Sequence, residues 1–245
     1  MLFARSTLST WYIALLLSLA LLCPVEAKKP VKRPGQKSAV KQVGKPAAKP
    51  AKKSATKQVR NPPPPPRPFS TVVIDAGHGG HDFGGIQGQK VLEKVVALDV
   101  AKRVRRQLDS AGFRTVMTRT NDTFVSLGQR VAIANAHPDA IFVSIHFNAA
   151  PRSGARGIET FYCTTSSKPV ADRIQRELVA SSRTENRGVK HAEFYVLQKS
   201  GIRAALTECG FLTNPEDAAL AVKSSYRQRL AEAIAQGVGR YRASL

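Results

Sequence analysis

The chain has 245 residues, a formal net charge of +21 and three cysteines, of which only Cys163 and Cys209 lie beyond the first 27 residues. Two cysteines in a stretch of that length exclude a disulfide framework, and the expectation is two reduced, buried thiols rather than a bridge. The charge is uneven: residues 28–68 carry +13 with no acidic residue, and residues 69–245 carry +8.

Residues 1–27 read as a secretory signal. Arg5 precedes the apolar stretch Trp11–Leu22, which is too short for a comfortable membrane span, and Val25 and Ala27 stand where a cleavage site takes small residues. The alternative is an uncleaved anchor. Cys23 suits lipid attachment poorly, because Leu22 occupies the place of a small residue. A signal implies work in the periplasm or outside the cell. Residues 28–68 contain Lys, Pro, Ala, Val, Ser and Gln, and end in Pro62–Pro66, Arg67 and Pro68. Such a segment cannot bury enough apolar surface to offset its chain entropy, so it reads as a disordered tether stiffened near its end by polyproline geometry. Its charge predicts an anionic wall or membrane surface as partner; an exported chain is not expected to meet nucleic acid. Residues 69–245 are enough for one domain with a core of its own.

In that domain Thr71–Asp75 is an apolar run bounded by glycines, a buried strand. Val91–Leu108 has apolar residues at spacings of three and four with Lys and Arg between them, an amphipathic helix stopped by Ala111-Gly112. A strand at Arg114–Thr118 follows, then a helix at Leu127–Ala136 ended by His137-Pro138. Ala140–His146 is nearly all apolar, as a strand covered on both faces is. Gly157–Cys163 alternates as a strand, Lys168–Ala180 is a helix, and Ala192–Leu197 and Ala204–Cys209 read as further strands. Asn214-Pro215 starts a helix, with Asn214 as cap, and Tyr226–Tyr241 closes the chain as a long helix. The alternation predicts an α/β fold with a mainly parallel twisted sheet flanked by helices.

Three of those strands end in side chains that bind metals or move protons: His78 in a glycine-rich turn, His146, and Glu208. In an open α/β sheet, ligands gather beyond the carboxyl ends of the strands, so the three converge on one site. Two imidazoles and a carboxylate, with a fourth position left to water, form the ligand set of a catalytic zinc hydrolase. The glycine spacing around His78 does not fit a dinucleotide fingerprint, though an anion-binding turn is the competing reading. Glu93 opens the helix after that turn, where the helix dipole alone explains a carboxylate. Glu208, at the end of an apolar strand, is costly unless paired, coordinating or raised in pKa, which makes it a general-base candidate; a buried ion pair with an arginine is the alternative. His81, His137 and His191 have no comparable context and read as loop or surface residues.

The segments Val73–Gly80, Glu93-Lys94, Thr118-Arg119, Ser144–Ala149 and Glu208–Asn214 together resemble the zinc-dependent N-acetylmuramoyl-L-alanine amidases of bacterial cell walls, in matching order and spacing from about residue 71 to residue 243. The resemblance implies one zinc per chain, with His78, Glu93 and His146 as ligands and Glu208 as the catalytic glutamate. It implies cleavage of peptidoglycan between the lactyl group of N-acetylmuramic acid and the L-alanine of the stem peptide; the expected state is a monomer. Asn148, in the third motif, is a candidate substrate contact.

The chain departs from that pattern at Phe83, where proline is common, and at Cys209, where a small or β-branched residue is common. Cys209 is expected to face away from Glu208, as neighbours in a strand do. Only 61 residues separate His146 from Glu208, which leaves no room for the inhibitory helix of division-linked relatives. Three other readings stay open. One is a zinc carboxypeptidase or endopeptidase acting within the stem peptide. Another is a serine enzyme, for which Ser38–Lys41 and Ser54–Lys57 fit S-x-x-K and Lys199-Ser200-Gly201 resembles a companion motif. The third is a wall-binding protein without activity.

Overall fold

The computed structural model describes residues 68–86, 89–152, 154–182 and 184–245. The signal, the tether short of Pro68 and both S-x-x-K matches lie outside them. The elements in chain order are β1 (Thr71–Ala76), α1 (Glu93–Ser110), β2 (Arg114–Met117), α2 (Leu127–Asn135), β3 (Ala140–Asn148), β4 (Ile158–Tyr162), α3 (Lys168–Ser181), β5 (Asn186–His191), α4 (Tyr195–Gln198), β6 (Arg203–Phe211), α5 (Pro215–Ala221) and α6 (Ser224–Arg242).

The strands form one six-stranded sheet in the order β2-β1-β3-β6-β4-β5. The first four run parallel, β4 lies antiparallel to β6, and β5 is parallel to β4. The sheet is therefore mainly parallel, with a reversed edge pair. The carboxyl ends of β1, β3 and β6 point the same way, and His146 stands in register with Glu208. All six residues of β1 and the first six of β3 are buried, because helices cover both faces. On one face α1, α3 and α6 bury Val72, Ile74, Val143 and Ile145 among Val100, Val104, Ile174 and Ile234. On the other, α2 and α4 cover Val73, Phe142 and Leu206 with Ala134, Val196 and Leu197. The caps follow the sequence: Ser126 and Gln129 form a capping box on α2, and Asn214 accepts from the N–H groups of Glu216 and Asp217 at the start of α5.

One element departs from expectation. Ala192–Leu197 is not a strand; the strand is β5, Asn186–His191, and Tyr195–Gln198 is a short helix. The segment Asn-Arg-Gly-Val-Lys-His has a single large apolar residue, so it carries no alternation to read. It pairs because it is an edge strand with β4 as template, and none of its residues is buried. The apolar residues after it serve α4, which seals the second core. Cys163 and Cys209 are free thiols; Cys209 is buried, whereas Cys163 is only half-buried, short of the burial expected for it.

Candidate metal centre

His78, Glu93 and His146 meet. One donor atom from each lies within 4.8 Å of the others. Glu93 bridges the two imidazoles: its Oε2 is 3.0 Å from His78 Nε2 and its Oε1 is 2.9 Å from His146 Nδ1. Oε1 also accepts from the Phe147 N–H at 3.0 Å. Glu93, at the first position of α1, is buried, and the two rings meet edge to face with centroids 4.9 Å apart.

The turn after β1 is held in an uncommon shape. His78 has φ +58°, a left-handed conformation that a residue with a β-carbon adopts only when its surroundings impose it. Two buried arginines do so. Arg119 donates to the carbonyls of Ala76 (2.9 Å), Gly77 (2.6 Å), Lys94 (2.9 Å) and Asn121 (3.0 Å). Arg130 donates to those of Ala76 (2.6 Å), His78 (2.7 Å) and Val125 (2.9 Å), and to Asp75 Oδ1 at 2.6 Å. Asp75 is further held by the hydroxyls of Thr118 and Ser144, each at 2.7 Å. Gly77 and Gly84 leave the room the cluster needs. A β-carbon on Gly77 would overlap the His146 ring, and one on Gly84 would overlap Glu93 and His78.

The donor set fits a zinc ion. Asp82 Oδ2 lies 2.9 Å from His78 Nδ1, so Nδ1 carries the proton and Nε2 is left as a lone pair aimed at Glu93. Lone pairs facing a carboxylate across 3.0 Å call for positive charge between them. Without a metal that charge is a proton: burial opposes protonation of His78, yet Glu93 and Asp82 raise its pKa above the usual value. Burial alone would raise the Glu93 carboxyl, but hydrogen bonds from His146 and His78, with their charges, bring it down to about 2. Two neutral imidazoles and one ionised carboxylate are what a catalytic zinc site uses.

Glu208 is half-buried beside this cluster. Its Oε2 is shielded from solvent and has no hydrogen-bond partner among the described residues. Burial first, then the charges of Glu93 and Glu159, push its carboxyl well above the ordinary value. Among the described residues no arginine forms an ion pair with it, which argues against the ion-pair reading. Glu159 is its cross-strand neighbour on β4 and accepts from the Asn148 side-chain amide at 2.7 Å. Cys209 points into the opposite core, where burial lifts its thiol to about 12. His81 lies against Phe124, and His191 Nε2 meets the Cys163 carbonyl at 2.9 Å, both apart from the cluster.

Asp75, Asp82, Arg130 and Glu159 went unassigned in the sequence. For Asp82 a signal existed, since it follows His78 by four residues in the same tight turn. Arg130 reaches Asp75 across 55 residues from an ordinary amphipathic helix, and nothing local marks it.

The sequence profile of the N-acetylmuramoyl-L-alanine amidase family matches residues 72–240. The N-acetylmuramoyl-L-alanine amidase LytC of Bacillus subtilis (strain 168) is 43% identical over 175 residues, 70% of this chain; the chain spans only 35% of LytC. The germination-specific N-acetylmuramoyl-L-alanine amidase of the same organism is 36% identical over 187 residues, covering 69% of this chain and 78% of that protein. Among solved structures, an N-acetylmuramoyl-L-alanine amidase from Clostridium difficile 630 matches with a TM-score of 0.69 and 37% identity, over 73% of this chain and 99% of that one. The amidase AmiC2 of Nostoc punctiforme matches with a TM-score of 0.66 and 39% identity, over 70% and 96% respectively.

Proposed function

Because the chain belongs to the N-acetylmuramoyl-L-alanine amidase family, we propose that it hydrolyses peptidoglycan at the amide between the lactyl group of N-acetylmuramic acid and the L-alanine of the stem peptide, using one zinc ion. The observation that carries this reading is the meeting of His78, Glu93 and His146 beside an unpartnered, shielded carboxylate oxygen of Glu208. His78 and His146 donate through ring nitrogens and Glu93 through a carboxylate oxygen, while Asp82 fixes the tautomer of His78. A zinc ion held by these three residues would supply Lewis-acid polarisation of the scissile carbonyl and activation of the attacking water. Glu208, once ionised, accepts a proton from the attacking water. It hands that proton to the nitrogen of L-alanine as the C–N bond breaks, so a free amine leaves.

The domain is proposed to act without an activator. The residues between β3 and β6 are taken up by β4, α3, β5 and α4, which supports this. Export through residues 1–27, and retention at an anionic wall or membrane surface through residues 28–68, complete the proposal; the composition of these segments supports it. Wall pelleting that is unchanged at low and high salt after deletion of 28–68 would refute the tether's role.

The test is digestion of purified sacculi by the mature protein alone, with products identified by mass spectrometry. Free peptides beginning with L-alanine and peptide-free glycan are expected, and are lost with Glu208→Ala or a chelator. Shortened stems still attached to glycan would move the cut into the peptide. No release would return the wall-binding reading, or one dependent on an activator.

A further inference from the structure

The residues just after His78 close into a small hairpin. Gly79 and Asp82 exchange both backbone hydrogen bonds, at 2.9 and 3.1 Å, and Asp82 turns its carboxylate back to His78 Nδ1. Two consecutive glycines, Gly79 and Gly80, give the hairpin little stiffness of its own. The hydrogen bonds of Arg119 and Arg130 reach no further along it than the His78 carbonyl. Something else must hold it.

Lys94 does. It follows Glu93 on α1, and its side chain is only 8% exposed. A buried ammonium needs partners for its three protons. Lys94 Nζ donates to the Gly80 carbonyl at 2.7 Å and to Asp122 Oδ2 at 2.7 Å, and it stands 4.5 Å from the centre of the Phe83 ring. Asp122 closes the circle, because its Oδ1 accepts from the Gly80 N–H at 2.8 Å. Gly80 is thus gripped through its N–H and its carbonyl by two side chains that also bind one another. The Lys94 N–H donates to the Phe83 carbonyl at 3.2 Å, so Lys94 touches the chain on either side of His81 and Asp82. Phe83 stands where the resembled family commonly has proline, which has no π face, so this seat for the ammonium is a feature of this chain. With Asp122 57% exposed, the ion pair adds little to stability by itself. Its contacts converge on one glycine of the hairpin instead.

We propose that Lys94, Asp122 and Phe83 are positioning residues for the metal centre: they hold the Gly79–Asp82 hairpin so that Asp82 stays on His78 Nδ1 and the Nε2 lone pair stays turned to the ion. The proposal rests on the zinc reading of His78, Glu93 and His146 and deepens it. Partners that orient a ligating histidine govern metal affinity by about 10–100-fold.

The test is zinc affinity, read by competition with a chromophoric chelator, with unfolding curves to show that each variant is folded. Lys94→Met and Asp122→Ala are each expected to weaken zinc binding by about tenfold. Phe83→Leu is expected to weaken it by about two- to fivefold, the reach of one exposed cation–π contact. Lys94→Met made on top of Asp82→Asn is expected to cost nothing further, because the residue through which Lys94 acts is already gone. A general loosening of the fold would lower affinity equally in both backgrounds, and that result overturns the proposal, as does unchanged affinity in the single variants. Should Lys94→Met fail to fold, Asp122→Ala, at an exposed position, carries the same comparison. If the unaltered protein takes up no zinc, amide exchange of the Asp82 N–H decides. Faster exchange in Asp122→Ala keeps the latch while the metal reading falls; unchanged exchange removes both.

Discussion

Strands β1, β3 and β6 are buried along most of their length, while β4 is only half-buried toward its end and β5 has no buried residue. The first group carries the His78 turn, His146 and Glu208; the second carries Glu159 and the two cations, Arg187 and Lys190, that pair with it. Metal ligands work when their rotamers and backbone are fixed by a shell with no freedom, and here Asp75, Arg119 and Arg130 supply that shell. The same sheet therefore holds a rigid centre around the candidate metal ligands and a solvent-facing edge.

The contrast can be broken most severely at Glu208. Glu208→Gln removes the proposed proton acceptor and is expected to lower turnover on sacculi by about 10²–10⁴-fold, the range of general acid–base catalysis. Zinc stoichiometry by atomic absorption is expected to stay at that of the unaltered protein, whereas His78→Ala loses the metal.

Next comes the shell. Asp75→Asn leaves the Arg130 guanidinium buried without its countercharge and is expected to cost about 3–5 kcal/mol in denaturant unfolding. It also changes the acid response. Burial would raise the Asp75 carboxyl, but Arg130, His146, Thr118 and Ser144 together hold it below its ordinary value of 3.8. The pairing therefore stabilises the fold fully above that value, and the contribution fades as pH falls through it. The metal-free protein should lose stability more steeply below about pH 4 than Asp75→Asn does; identical acid limbs would contradict this.

Gly77→Ala pushes a methyl group into the His146 ring, and overpacking of this kind costs about 1–3 kcal/mol. The diagnostic readout is zinc affinity, which should weaken beyond what the loss of stability explains. The smallest effects compare the two regions directly. Val73→Thr buries a hydroxyl with no partner in β1 and should cost about 1–3 kcal/mol. Val189→Thr, on the half-exposed edge strand, should cost less than about 1 kcal/mol. Equal costs would mean that the edge is as tightly packed as the centre.

The sequence showed the rigid side far better than the open one. His78, His146 and Glu208 stand at the ends of apolar runs, and an apolar run is a local signal that survives in one dimension. Glu93 was recognisable only through family likeness, since a carboxylate opening a helix is ordinary on its own. The shell was hidden because its contacts join residues far apart: Asp75 meets Ser144 across 69 positions, and Glu159 meets Lys190 across 31. Strand β5 was hidden for the opposite reason. Its pairing comes from the neighbouring strand and not from its own composition, so the pattern rule settled on the apolar run after it.

The strand order has a consequence for how the molecule comes into being. All three candidate metal ligands lie in the segment from β1 to β3, whose strands neighbour one another. Glu208 lies on β6, which must insert between β3 and β4 after most of the chain exists. Such long-range parallel pairing is slow compared with local helix formation. In a chain emerging from its N-terminus, the ligands can gather, and capture their ion, before the group that moves the proton arrives. A nascent chain would then be a zinc-binding protein first and a hydrolase last, with cutting power withheld until the final quarter of the sequence closes the sheet.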